Sequence, residues 1–86
     1  MMENAITIFG TSWCGDCIRT RRLFNKNNIA YVWVDIDHNK SGEEFVLSTN
    51  QGMRSVPTIR FNDGSILVEP TDFELIQMLG SKLSSS

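Results

Sequence analysis

Two cysteines standing three residues apart, Cys14 and Cys17, constrain this chain more than any other feature. They are the only cysteines among its 86 residues. An apolar, β-branched run, Ala5 to Phe9, comes just before them, and a helix-like stretch, Ile18 to Asn27, comes just after. On a helix, positions i and i+3 share a face. A helix that starts at this motif therefore holds the first sulfur at its exposed N-terminus and the second one turn below.

That placement suits a disulfide that opens and closes. Helix N-termini offer unpaired N–H groups and the positive end of a dipole, both of which favour an anion. The thiolate, not the thiol, is the attacking species. Cys14 is thus the candidate nucleophile. Cys17, on the inward stripe, is the candidate resolving thiol, able to attack a mixed disulfide formed at Cys14. Asp16 opposes a second negative charge nearby. Arg19, Arg21 and Arg22, expected to face outward on the same helix, pull the other way.

Close cysteines also serve in zinc sites and in structural bridges. Four-coordinate zinc needs two more ligands, and His38 is the one other typical N/S ligand here, so no metal is expected. No stretch reads as a signal peptide, and none approaches the roughly 20 apolar residues of a membrane helix. The expected compartment is the cytosol, where a stable structural bridge is out of place. His38 reads as a solvated loop residue, and Trp13 as shelter for the rim of the site. The net charge of -2 argues against nucleic acid as a main partner, because phosphate binding needs clustered Lys and Arg.

The remaining elements follow from pattern. Ala5 to Phe9 is a first strand, and Gly10-Thr11-Ser12 turns the chain into a helix from Cys14 with Cys17, Thr20, Leu23, Phe24 and Asn27 along one stripe. Ala30 to Ile36 alternates as a second, edge strand, with Val32, Val34 and Ile36 on one face and Tyr31, Trp33 and Asp35 on the other. Ser41-Gly42-Glu43-Glu44 reads as a capping box with Ser41 as N-cap, opening a short helix that stops at Asn50-Gln51-Gly52. Thr58 to Phe61 and Ser65 to Val68 form a hairpin about Asn62-Asp63-Gly64. Thr71-Asp72-Phe73-Glu74 is a second capping box. The helix it opens carries Phe73, Ile76, Leu79 and Leu83 as a stripe, with Leu75 beside it. Lys82 suits its C-terminal dipole.

The order is β-α-β-α-β-β-α. Its first βαβ unit needs a parallel pair, and its later hairpin an antiparallel one. The expected fold class is α/β, a mixed four-stranded sheet with helices on both faces. Residues 1–83 are expected to form a single domain, with 84–86 as a disordered tail.

Val56-Pro57 opens the third strand, where a missing N–H is tolerated. In a redox protein, a cis bond here turns the Val56 backbone outward, free to pair with an extended disulfide substrate. A cis bond is therefore expected.

Cys14-Gly15-Asp16-Cys17, Ser55-Val56-Pro57-Thr58 and Asp63-Gly64-Ser65 together resemble the glutaredoxin branch of the thioredoxin superfamily. Thr11-Ser12-Trp13-Cys14 and Val34-Asp35-Ile36-Asp37 extend the likeness through nearly the whole chain. It looks most like the short mycoredoxin-type (actinobacterial-type) glutaredoxins. The resemblance implies a thioredoxin fold with sheet order 2-1-3-4 and Pro57 facing Cys14. It implies a dithiol–disulfide oxidoreductase with no tightly bound cofactor. Its implied substrates are protein disulfides, or proteins carrying a mixed disulfide with a low-molecular-weight thiol. Carried over as substrate contacts are Trp13, Asp16, Arg54, Val56, Pro57, Thr71 and Asp72.

Gly15 and Asp16 stand where glutaredoxins usually have Pro and Tyr. Thr11 replaces a usual Lys, and Glu69-Pro70 lies where a Gly-Gly pair is usual. The expected thiol co-substrate is accordingly mycothiol, bacillithiol or glutathione. The expected protein acts as a monomer, without nucleic acid or membrane. Two other uses fit the resemblance. One is a redoxin recharged by thioredoxin reductase that donates electrons to ribonucleotide reductase. The other is a carrier of an iron–sulfur cluster.

Overall fold

A computed structural model of the protein describes residues 5 to 84, with side chains as far as residue 80. The elements are β1 (Thr7–Gly10), α1 (Gly15–Lys26), β2 (Val32–Asp35), α2 (Lys40–Thr49), β3 (Thr58–Arg60), β4 (Ile66–Val68) and α3 (Asp72–Ser84). They form the expected β-α-β-α-β-β-α order and one four-stranded sheet ordered β2-β1-β3-β4. β1 and β2 are parallel, with Ile8 opposite Trp33. β3 is antiparallel to β1, with Ile59 opposite Ile8, and β4 is antiparallel to β3. This is the thioredoxin fold. Its sheet places the end of β1, where the cysteine motif begins, beside the start of β3, where Val56-Pro57 lies.

Alternation along the strands divides the interior in two. Ile8 and Ile59 point to one face and join Phe24 of α1, Phe61, and Leu75 and Leu79 of α3. Phe9 points to the other face and joins Ile36 and Val46 of α2. Helices therefore cover both sides. Trp33 packs against the first cluster and Val34 against the second, as the period of two in β2 requires.

Four details differ from the sequence expectation. The N-cap of α2 is Asn39, not Ser41: its Oδ1 accepts the Gly42 N–H at 2.7 Å and the Ser41 hydroxyl at 3.0 Å. Asn caps as well as Ser does. The earlier start also seats Gly42 on β2, where an added Cβ would lie 2.6 Å from Val34 Cγ1. On α3 the buried positions are Leu75 and Leu79, whereas Phe73 and Ile76 are mostly exposed. The apolar arc is wider than the surface available, and docking on Ile59 and Phe61 selects its Leu75 side. Asn27 is exposed at the end of α1, where its amide donates to Leu23 O at 2.8 Å. Arg21 does not face outward; its guanidinium lies over the Trp33 ring, 4.1 Å from the centroid.

The second capping box forms as expected. Glu74 N–H donates to Thr71 Oγ1 at 3.1 Å, and Thr71 N–H donates to Glu74 Oε1 at 2.9 Å. Helix α3 runs to Ser84, the first residue of the expected tail. Ser85, Ser86 and the lead Met1 to Asn4 lie outside the described residues, as do the side chains of Lys82 and Leu83. Among the described residues no helix is long and apolar enough to cross a membrane.

Candidate active site

Strand β1 ends at Gly10, and three residues carry the chain round to Cys14. Cys14 is the N-cap of α1, with extended backbone angles (φ -79°, ψ 123°) and no side-chain cap hydrogen bond. Its carbonyl accepts the Ile18 N–H at 3.1 Å. The helix therefore begins with the Cys14 side chain free at its positive end. The thiol is half-buried and points across the molecule at the Val56 carbonyl, 3.9 Å away. Val56-Pro57 is cis, as expected.

Cys17 lies one turn down and is completely buried. Both cysteines are free thiols. Burial pushes the Cys17 thiol up from 9.0 to about 12. A backbone hydrogen bond from Thr11 works against that, while Cys14 and Asp16 add to it. Gly10 lets the chain pass close to this sulfur: a Cβ there would lie 2.5 Å from Cys17 Sγ and 3.0 Å from the Trp33 ring. Only a glycine lets strand, sulfur and indole meet this closely. Thr11, at the position where a Lys was the usual residue, is fully buried, and its hydroxyl has no hydrogen-bond partner among the described residues.

Two polar networks flank the thiol. On one side the Trp13 indole, two-thirds exposed, donates from Nε1 to Asp37 Oδ2 at 2.8 Å. Arg54 donates to Asp37 Oδ1 at 2.5 Å and to Glu43 Oε2 at 2.9 Å. The Arg54 hydrogen bond, followed by that of Trp13, holds the Asp37 carboxyl below its usual range. On the other side Arg19 pairs with Asp72 and reaches Asp16 at 3.5 Å. It also donates to Pro70 O at 3.2 Å, tying the start of α1 to the start of α3.

The structure thus brings Cys14 against the Val56 carbonyl, with Trp13 and Pro57 as the adjoining residues of the chain. It places Asp16, Thr71 and Asp72 at the facing ends of α1 and α3. Arg54, expected at the substrate, has its guanidinium engaged by two carboxylates. Thr71 is engaged in the α3 cap, and Asp72 by Arg19. Sequence reasoning passed over Gly10, Asp37, Glu43 and Trp33. A glycine at the end of a strand was the only available signal, since it often marks a close approach. Asp37 entered only through the Val34-Asp35-Ile36-Asp37 likeness and Glu43 only within a capping box, because their partner Arg54 lies in another segment of the chain. His38 is exposed, and among the described residues no three His, Cys, Asp or Glu side chains gather as metal ligands.

Comparison with known proteins bears on this geometry. The family model described as Glutaredoxin matches residues 6–66. A putative glutaredoxin of Mycobacterium tuberculosis (strain ATCC 25618 / H37Rv) is 49% identical over 75 residues, spanning 87% of this chain and 89% of the relative. Mycoredoxin 1 of Corynebacterium glutamicum is 35% identical over 71 residues, spanning 83% and 87%. Among solved structures, the glutaredoxin of Methanosarcina mazei Go1 superposes with a TM-score of 0.72 at 26% identity, covering 91% of this chain and 80% of that one.

Proposed function

The chain belongs to the glutaredoxin family and is a thiol–disulfide oxidoreductase, and from that premise we propose that Cys14 is its nucleophile and Cys17 its resolving thiol. The observation that carries this assignment is the contrast in position: Cys14 opens to solvent at the head of α1, while Cys17 is sealed one turn below. In the first step the Cys14 thiolate attacks a substrate disulfide. One substrate sulfur leaves as a thiolate and takes up a proton, and the other stays bonded to Cys14. Two endings follow. A second small thiol attacks the mixed disulfide and restores Cys14, or Cys17 attacks Cys14 and closes the internal disulfide. The burial that pushes Cys17 up to about 12 keeps it protonated at neutral pH, which favours the first ending for small substrates.

Val56, Pro57 and Trp13 border the Cys14 thiol, and we assign them to substrate contact. Asp16, Arg54, Thr71 and Asp72 form the outer rim. The low-molecular-weight thiol is mycothiol, bacillithiol or glutathione. The relatives named mycoredoxin, together with Thr11 at the place of a usual Lys, favour the first of these. The clients are disulfide-bonded or S-thiolated proteins in the cytosol, where a free cysteine pair persists, and one chain acting alone suffices for the cycle.

Assays of Cys17→Ser and Cys14→Ser with each small thiol in turn test the assignment. Cys17→Ser should keep reduction of a mixed disulfide between a small thiol and a peptide, and Cys14→Ser should lose it. Retained turnover in Cys14→Ser would reverse the roles.

A further inference from the structure

Trp33 and Arg21 take no part in the chemistry above, yet they are built into its back wall. The indole edge of Trp33 and the Cys17 sulfur crowd the same point, the missing Cβ of Gly10, from 3.0 and 2.5 Å. Trp33 sits on β2, the edge strand, where only one neighbouring strand restrains it. What covers its ring is the Arg21 guanidinium, 4.1 Å from the centroid. The Nε of Arg21 is buried without a hydrogen-bond partner among the described residues. A buried N–H left unpaired is costly, so the stack on the indole is what offsets that position.

We propose that Trp33, clamped by Arg21, is a positioning residue for the resolving cysteine, closing the space behind Cys17 and thereby setting how readily it attacks a mixed disulfide at Cys14. This inference rests on the role of Cys17 assigned above. In the controlled step the Cys17 thiolate attacks Cys14 Sγ and a new S–S bond joins the two cysteines. The bond from Cys14 to the substrate sulfur breaks, and that sulfur leaves reduced, taking the proton that Cys17 released. The thiolate must form first, and an apolar wall opposes it. The charged and titratable groups facing Cys17 from its own helix are Cys14 and Asp16; β2 adds Asp35, which stands opposite Gly10 on the Trp33 face and accepts the Asp37 N–H at 2.9 Å, and Arg21 caps the Trp33 ring. Opening the wall admits water and speeds resolution. The intact wall prolongs the mixed disulfide, leaving it to a second small thiol.

Alkylation of Cys17 by iodoacetamide, followed against pH in Cys14→Ser protein, tests the proposal without depending on turnover. Arg21→Gln and Trp33→Leu should each move the midpoint of the Cys17 profile downward. A shift of one unit reads as an about tenfold faster reaction at pH values below the midpoint. Trp33→Phe should keep the original midpoint. If Trp33→Leu does not fold, Arg21→Gln and Trp33→Phe decide the matter. An unchanged midpoint in Arg21→Gln overturns the proposal. So does a rate that rises by one common factor at every pH, which is general loosening. The Cys17→Ser assay with small thiols is read separately. Loss of turnover there would remove the functional assignment, and the alkylation profile would still report the wall.

Discussion

The two faces of the sheet do different work. The face covered by α1 and α3 buries Ile8, Phe24, Ile59, Phe61, Leu75 and Leu79, and Cys17 is sealed on that side. The face covered by α2 buries, among the described residues, the smaller cluster of Phe9, Ile36 and Val46, and Arg60 lies over the Phe9 and Phe45 rings at 5.3 and 5.0 Å. The thicker face supplies the low-dielectric packing that keeps a thiol protonated. The thinner face carries the polar chain Trp13–Asp37–Arg54–Glu43, which ties the cysteine turn and the loop before Val56-Pro57 to α2. Apolar packing fixes the internal sulfur, and hydrogen-bonded charges hold the loops on either side of Cys14.

The largest test is of the packing contrast. Leu75→Ala should cost about 2–5 kcal/mol, the usual range for a buried leucine. Val46→Ala removes two methyl-sized groups worth about 1.6 kcal/mol before any cavity is counted. Urea denaturation of the two variants measures the difference, and equal losses would break the comparison between faces.

Alkaline pH comes next. Cys17 holds its proton in the folded state up to about 12, whereas its ordinary value is 9.0. Between those values the unfolded chain binds fewer protons than the folded one, so stability falls as pH rises. The slope from this one group reaches about 1.4 kcal/mol per pH unit. It should vanish from the difference curve in Cys17→Ser. A Cys17→Ser protein that loses stability above pH 9 as steeply as wild type would place the sulfur in a wetter site than the one described.

A smaller effect is expected on the α2 face. Arg54→Ala removes two exposed ion pairs, which contribute little to stability, but it frees Asp37 and loosens Trp13. Turnover with protein disulfides should fall several-fold while the unfolding midpoint barely moves. A large drop in that midpoint would mean that these charges support the fold itself.

The mildest probe is acid. Asp37 is held below its usual range, so its contribution is complete above the unfolded value of about 3.9 and is lost as pH falls through the lower folded value. The Trp13 indole N–H resonance should follow that titration. A resonance that stays fixed through the acid range would uncouple Trp13 from Asp37.

Much of the site was legible because it is local. A strand, a turn and a helix start occupy Thr7 to Cys17 without interruption, so the more open first sulfur and the inward second one follow from helical period alone. Val56-Pro57 was legible as a strand entry, and the Thr71–Glu74 box as a helix start, for the same reason. Less legible were the phase of α3 and the N-cap of α2. Leu75 and Leu79 were selected by a surface that other segments provide, and Asn39 by the need to seat Gly42 against Val34.

By itself, then, the sequence determined the order of elements, the class of chemistry and the placing of two sulfurs one turn apart at a helix start, because those depend on spacings of a few residues. Tertiary structure alone decided what surrounds them. Gly10 meets Trp33 through the pairing of β1 with β2, Arg54 meets Asp37 and Glu43 across three segments, and Arg19 meets Asp72 across 53 residues of chain. Such contacts come from how the chain closes on itself. Residue type and local period encode the groups, but only packing of the whole brings them within bonding distance.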